Sequence, residues 1–365
     1  MKIIISSNTA WNLANFRKPV IEAFVAAGHE VIAAAPADGH ERKLEAMGAR
    51  FRSLAMRGAG TSPVEDVRLL RAYVTMFRSE RPAMFLGFTS KPNIYGSLAA
   101  RFTGVPSIAT ISGLGSAFLG GGVLEQVLLR LYRVALGGAR AIVFQNPSDR
   151  DLFIARGIAR PDQARLVAGS GIDLAHFQPA PMEEHDDLRF LLIGRLLLDK
   201  GIAEFVEAAR IVRCSFPAAR FQLLGGPGGD NPSAVAQADI ARWSAETIVE
   251  LLGAKDDVRP QIAAADCIVL PSYREGLPRS LLEGAAMARP LVASDVPGCR
   301  DVVEDGINGY LCEVKSAQSL ASAMIRIAAS SPAERAAMGA AGRRKVTVEF
   351  DQRLVADAYL AEIAR

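Results

Sequence analysis

Short, almost uninterrupted apolar runs recur along this 365-residue chain, and the intervals between them are amphipathic, an alternation that leaves few architectures open. Ile3–Ser6, Val31–Ala35, Phe51–Leu54, Met84–Gly87, Ser107–Ile111, Ala141–Gln145 and Arg165–Ala168 read as strands buried on both faces, the pattern of a parallel sheet. Phe16–Ala27, Val64–Arg78, Asn93–Phe102 and Leu124–Leu136 carry helical spacing between them. The rhythm breaks at Phe177–Asp187, which is acidic and proline-bearing. It restarts with strands at Arg189–Ile193, Phe221–Leu224, Thr247–Leu252, Cys267–Leu270 and Leu291–Ser294, and the chain from Leu320 to Arg365 is mostly helical. The expected class is α/β, with two Rossmann-like doubly wound domains facing each other across a cleft that takes the ligand. Residues 1–178 form the first domain, 179–187 the linker and 188–347 the second, and a last helix, about 348–365, is expected to pack back on the first.

No apolar run reaches the roughly 18 residues of a membrane span. The opening Met-Lys-Ile-Ile-Ile reads as a first strand and not as a signal segment. Cysteines 214, 267, 299 and 312 form no CxxC pair and no zinc spacing, and are read as reduced thiols. The net charge of +3 conceals an asymmetry: residues 1–180 sum to +8 and residues 181–365 to −5. A basic first half points to an anionic partner. Its arginines lack interleaved aromatics and no nucleic-acid motif is present, so a phospholipid surface or a diphosphate fits better than nucleic acid. An ordinary solvated basic surface is the plain alternative.

Several chemistries fall away on spacing. Gly113-Leu-Gly115-Ser-Ala-Phe118 imitates a dinucleotide fingerprint, but Phe118 stands where the third glycine belongs. There is no P-loop and no GxSxG elbow. Asp149-Arg-Asp151 could hold a divalent ion, yet Pro147-Ser148-Asp149 is the stronger start-of-helix signal. His29 belongs to a helix-to-strand turn, His176 and His185 to the linker region, and His40 to a loop after a strand.

A constellation in the second half remains. Pro271-Ser-Tyr-Arg-Glu-Gly-Leu-Pro-Arg-Ser-Leu-Leu-Glu283 ends a strand and starts a helix near Pro278, taken as the first helical residue. Glu275 falls in the loop and Glu283 in the helix, whose free N–H groups suit a phosphate. Gly194-Arg195 follows another strand, and Asp199-Lys200-Gly201 opens a helix. Two cations at one strand end suit a departing diphosphate, and Lys200 and Glu275 are both expected to be exposed. The plain alternatives are solvated acids and a helix-start salt bridge.

Gly-Arg-Leu followed by Lys-Gly, the Glu275-x7-Glu283 element that starts inside Pro-Ser-x-x-Glu-Gly-x-Pro, and Glu304-Asp-Gly-Ile-Asn-Gly309 together resemble family 4 of the retaining glycosyltransferases with the GT-B fold. Phe88–Gly96, Thr110–Phe118 and Gly225–Ser233 are similar to a subgroup that extends polyprenyl-diphosphate-linked sugars in capsule and O-antigen assembly. The resemblance implies that Arg195 and Lys200 bind the donor diphosphate and that Glu275 holds the donor sugar. It further implies that Gly276 and Leu277 lie near the β-phosphate and that Glu283 binds ribose. Gly194, the loop opening at Gly225, and Gly253–Asp257 with Lys255 would receive the rest of the nucleotide. It implies no cofactor, no metal and no protein nucleophile, with UDP-HexNAc as the donor substrate. Many members carry a histidine where this chain has Ser112. Asn8, Trp11, Asn15, Arg17 and Lys91 are the acceptor candidates. The expected partners are a nucleotide-sugar, a lipid-linked saccharide and an anionic membrane surface, but not nucleic acid, at the cytoplasmic face of the plasma membrane. Leu124–Leu136 is either an interfacial helix or a core helix with snorkelling arginines. A soluble acceptor, or a non-catalytic nucleotide-sugar sensor, are the rival functions.

Overall fold

The computed structural model describes residues 1–57, 62–114, 122–182, 187–229 and 231–365. His185, Asp230 and residues 115–118 of the false fingerprint lie outside the described residues. The chain forms two compact units, Met1–Ser170 with Gln352–Arg365, and Gly171–Asp351.

The first unit is a seven-stranded sheet in the order β3-β2-β1-β4-β5-β6-β7. Its strands are β1 (Lys2–Ser6), β2 (Glu30–Ala35), β3 (Arg50–Ser53), β4 (Met84–Phe88), β5 (Ser107–Ile111), β6 (Ala141–Phe144) and β7 (Ala164–Leu166). All neighbours pair in parallel, with Ile4 aligned to Ile32 on one side and to Phe85 on the other. The strand period of two sorts the central isoleucines. Ile3 and Ile5 enter one core, while Ile4 enters the opposite one with Ile32, Tyr73, Phe77 and Phe85. All three are fully buried, which is why these runs carry no polar alternation.

The helices of this unit are α1 (Ala10–Phe16), α2 (Lys18–Ala26), α3 (Glu41–Ala46), α4 (Pro63–Glu80), α5 (Ser97–Thr103), α6 (Val123–Leu136) and α7 (Pro147–Ala155). The stretch expected as a helix from Phe16 to Ala27 is α2, starting at Lys18, and α1, which was not expected, precedes it across Arg17. The Asn93–Phe102 stretch begins as a π-turn, Pro92–Gly96, before α5. Asn93 enforces that turn: its side chain donates to the Thr110 carbonyl at 2.8 Å and accepts from the Thr110 N–H at 3.2 Å. Asp149 and Asp151 lie in α7, where Asp149 is buried behind the Asn146 cap and Asp151 pairs with Arg150.

The second unit is a six-stranded parallel sheet, β10-β9-β8-β11-β12-β13. Its strands are β8 (Arg189–Ile193), β9 (Arg220–Leu224), β10 (Glu250–Gly253), β11 (Cys267–Leu270), β12 (Leu291–Ser294) and β13 (Gly309–Cys312). The strand expected at Thr247–Leu252 starts three residues later, because Thr247 takes φ 50° in the preceding turn. β13 was not anticipated. Its helices are α8 (Ile202–Ser215), α9 (Gln237–Ala245), α10 (Arg259–Ala264), α11 (Arg279–Ala286), α12 (Cys299–Val302), α13 (Ala317–Ala329) and α14 (Pro332–Glu349).

The first unit is completed by α15 (Gln352–Ala364). Val355, Tyr359 and Ile363 enter the core of β1 and β2, and the Tyr359 hydroxyl bonds the Thr110 hydroxyl at 2.7 Å. The boundary by contacts thus falls at Ser170/Gly171, earlier than residue 178. Ala180 and Pro181, read as linker, offer their carbonyls to the fully buried Arg289 of the second unit at 2.9 and 3.1 Å.

Candidate functional site

In each sheet the strand order reverses once, between β1 and β4 and between β8 and β11. Loops leaving the carboxyl ends of strands on either side of such a reversal diverge and open a crevice. The loops after β8 and β11 carry Gly194–Lys200 and Pro271–Pro278, the two clusters singled out in the sequence.

Backbone approach explains the glycines. The Gly194 N–H donates to the Leu224 carbonyl and the Gly225 N–H to the Gly253 carbonyl, both at 2.9 Å, so the sheet ladder runs past the strand ends. A Cβ on Gly225 would stand 1.8 Å from the Gly194 oxygen. Arg195 leaves this edge exposed and makes no ion pair among the described residues.

Lys200 ends a short 3₁₀ turn, Leu198–Lys200, and Gly201 follows at φ 72°. The Tyr273 N–H donates to the Asp199 carbonyl at 2.9 Å and clamps this turn to the loop after β11. Lys200 Nζ then donates to Glu275 Oε1. Both were expected exposed, and that is corrected: the side chains are 26% and 12% accessible, a half-buried ion pair. A third loop supports the second. Gly298, after β12, takes φ 81° with its Cα side against the Gly276 carbonyl, where a Cβ would approach to 2.4 Å.

Pro278 is the N-cap of α11, not its first residue, and the helix begins at Arg279. Gly276 is buried, Leu277 half-buried, and Lys255 exposed in the loop after β10. Glu283 lies on the buried side of α11, and Arg279 Nε donates to its Oε1 at 2.8 Å. Burial pushes the Glu283 carboxyl above the ordinary range, and the Arg279 guanidinium pulls it back only in part. The native carboxyl therefore holds its proton more tightly than the unfolded one, which titrates near ~4.3. That contribution to stability is present below this value and is lost as pH rises through the raised native one. Glu283→Gln is expected to melt above wild type at neutral pH and to converge with it in acid. A gap that does not change with pH would assign the effect to the Arg279 pair instead.

Tyr273 was overlooked in the sequence. Its hydroxyl donates to Glu204 Oε1 at 2.7 Å, and the Lys315 ammonium lies 4.8 Å from its ring centroid. A tyrosine two residues before the loop glutamate was the only available sign.

The reversal in the first unit is bridged by the Asn8 N–H, which donates to Thr89 Oγ1 at 3.2 Å. Thr89 sits at φ 74°, a strained conformation for a β-branched residue. Asn8 and Asn15 are half-buried, and Asn15 lines a groove of about 430 Å³ with Lys18 and Lys43. Trp11 is 46% exposed, its backbone N–H donating to Asp38 at 2.9 Å, and His40 pairs with the same carboxylate at 3.1 Å. Trp11 and Asn15 lie in α1, and two further acceptor candidates are already engaged. Lys91 is paired with Asp66 at 3.0 Å. Arg17 is buried, its guanidinium 4.4 Å from the Phe88 ring centroid and 3.1 Å from Ser112 Oγ. The cysteines are free, and burial pushes the Cys267 and Cys299 thiols well up, which fits packing and not nucleophilic chemistry.

The described residues contain no group of three His, Cys, Asp or Glu placed to hold a metal ion, and no helix among them is long and apolar enough to cross a membrane.

Comparison with known proteins assigns both units. The family described as glycosyl transferases group 1 matches residues 187–330, and the glycosyl transferase 4-like domain matches residues 17–169. The N,N'-diacetylbacillosaminyl-diphospho-undecaprenol alpha-1,3-N-acetylgalactosaminyltransferase of Campylobacter jejuni is 26% identical over 99% of this chain and 97% of that protein. The UDP-Gal:alpha-D-GlcNAc-diphosphoundecaprenol alpha-1,3-galactosyltransferase of Escherichia coli is 24% identical over 73% of this chain and 71% of its own. The crystal structure of Anabaena Alr3699/HepE in complex with UDP superposes at a TM-score of 0.81 over all of both chains, at 18% identity, and shares the fold. With both halves matched and the fold shared, the chain belongs to the family 4 glycosyltransferases of the two-domain GT-B fold.

Proposed function

We propose that this protein is a retaining, metal-independent glycosyltransferase. It moves a sugar, a HexNAc, from its UDP donor to a polyprenyl-diphosphate-linked saccharide during assembly of a cell-surface polysaccharide or glycoprotein glycan. The observation that carries the reading is the half-buried Lys200–Glu275 pair at the β8/β11 reversal, with the exposed Arg195 on the same sheet edge. The Campylobacter and Escherichia relatives, both named for diphospho-undecaprenol saccharides, support the acceptor class.

In this reading Arg195 and Lys200 stabilise the negative charge that grows on the departing diphosphate, and the rigid loops hold them in place before reaction. Glu275 orients Lys200 and accepts from hydroxyls of the donor sugar. The N–H groups of Gly276 and Leu277 face the β-phosphate at the α11 start, and Glu283 accepts from ribose. Gly194, Gly225 and Lys255 border the base. The acceptor oxygen bonds the anomeric carbon on the face that the leaving group vacates. The carbon–oxygen bond to the phosphate breaks, and that phosphate oxygen takes the acceptor's proton. No protein nucleophile is needed. On the first unit Asn8, Trp11 and Asn15 contact the acceptor, while Arg17 and Lys91 hold the loops that present them. The enzyme works peripherally at the cytoplasmic face of the membrane.

Thermal melting with UDP, GDP, ADP and their sugars, with and without EDTA, tests donor binding. A ligand at a hundred times its Kd adds about 2.7 kcal/mol. A UDP-selective rise insensitive to EDTA is expected, and no rise with any nucleotide would overturn the reading.

A further inference from the structure

We propose that Tyr273 is a positioning residue for transfer, holding the Lys200–Glu275 pair in the geometry that meets the departing diphosphate. This role rests on the function proposed above, because Tyr273 acts through Lys200.

Tyr273 is bonded on both sides of that lysine. Its backbone N–H donates to the Asp199 carbonyl, one residue before Lys200, at 2.9 Å. Its hydroxyl donates to Glu204 Oε1, four residues after Lys200, at 2.7 Å. Two positions further along its own loop, Glu275 accepts from Lys200 Nζ. These three bonds join residues 199–204 to residues 273–275, and the lysine lies inside the ring they close. A lysine side chain in water samples many rotamers, and such a ring leaves it few.

The far post of the ring is rigid. Glu204 lies in the first turn of α8, whose Ile202, Phe205 and Val206 are buried in the core of the second unit. Glu204 Oε2 is buried and makes no hydrogen bond among the described residues, so the tyrosine hydroxyl is the group that fixes this carboxylate. Burial, with the Glu204 carboxylate beside it, pushes the Tyr273 hydroxyl above its ordinary range and keeps the proton on oxygen for that bond.

The aromatic ring is held as well. Lys315, in the turn between β13 and α13, takes φ 60° and sets its ammonium 4.8 Å from the ring centroid. Packing alone would be served by phenylalanine. A hydroxyl aimed at a fixed carboxylate instead sets where the loop of Glu275 stands, and through Glu275 where the ammonium of Lys200 points.

Tyr273→Phe tests this with little risk to folding, because the ring, the backbone bond and the Lys315 contact all remain. It is expected to lower kcat by about 10- to 100-fold, since misplacing a reacting group by about 1 Å costs on the order of 10²-fold. Glu204→Leu removes the same bond from the other side and should lose as much, and the double variant should lose no more than either single one. In a Lys200→Ala background, Tyr273→Phe should change kcat by less than about twofold, because no ammonium is left to position. The amides of Lys200, Gly201 and Tyr273 are hydrogen-bonded in or beside the ring. They should exchange about tenfold faster in Tyr273→Phe, the factor that a lost hydrogen bond to a charged group corresponds to. Wild-type kcat in Tyr273→Phe, an equal fold-loss with and without Lys200, or unchanged exchange at these amides would each overturn the proposal. Faster exchange in a protein that transfers no sugar from any donor would overturn the enzymatic reading and leave the clamp standing.

Discussion

Lys200→Ala is expected to lower kcat by about 10²- to 10³-fold at saturating donor, the loss typical of removing one group aimed at developing charge. The structure adds a second effect. Glu275 packs against Lys200 with only 12% of its side chain accessible, so the truncation leaves a carboxylate facing an empty site. Stability should fall by about 1–2 kcal/mol, below the figure for a fully buried pair because the lysine keeps partial access to water. Glu275→Gln keeps the shape and removes the charge, and should cost less stability while still losing transfer. A double-mutant cycle reading both melting and kcat separates the pairing from the chemistry. Transfer by Lys200→Ala within a few-fold of wild type would remove this lysine from the catalytic assignment.

Gly201→Ala should be strongly damaging in the second unit. The position holds φ 72°, and its Cβ would stand 2.1 Å from the Pro271 carbonyl oxygen. The left-handed backbone alone costs about 1–2 kcal/mol for an L-residue. The collision cannot be relieved by a rotamer change, because the obstacle is backbone. A total of about 3–4 kcal/mol corresponds to a melting point lower by about 10 °C. The turn that displaces would carry Lys200 with it, so transfer should fall even where the variant stays folded. Gly306→Ala is the control: φ is 76°, but nothing lies within 4 Å of the added carbon, so only the backbone term applies. Equal melting of the two variants would show that the clamp between the Asp199 turn and Pro271 contributes nothing.

The parallel sheets were legible because strands buried on both faces cannot alternate, and Ile3-Ile4-Ile5 or Cys267-Ile-Val-Leu270 admit few other readings. Gly309–Cys312 escaped because four residues beside a glycine-rich turn give too short a run to separate from the loop. Helix α1 escaped for a related reason, as Ala10–Phe16 mixes two asparagines and a tryptophan into seven residues. At the site, residue types and strand-end positions could be read locally. What could not be read was pairing over distance. Lys200 meets Glu275 across 75 positions, and Lys91 meets Asp66 through the packing of α4 on the π-turn. Arg17 looked like a surface cation because nothing near it in sequence announces Phe88 or Ser112.

The position of α15 in the chain sets a schedule for folding. The first 170 residues leave the ribosome able to pair seven strands, but the side of β1 and β2 that receives Val355, Tyr359 and Ile363 stays uncovered until all 181 residues of the other unit have been made. A nascent chain adding roughly 5–20 residues per second holds that apolar face open for about 10–40 s. During this interval the first unit stays incomplete, while the second unit, contiguous in sequence, has every partner it needs. Order of completion would then run against order of synthesis, with the amino-terminal half the last to become native.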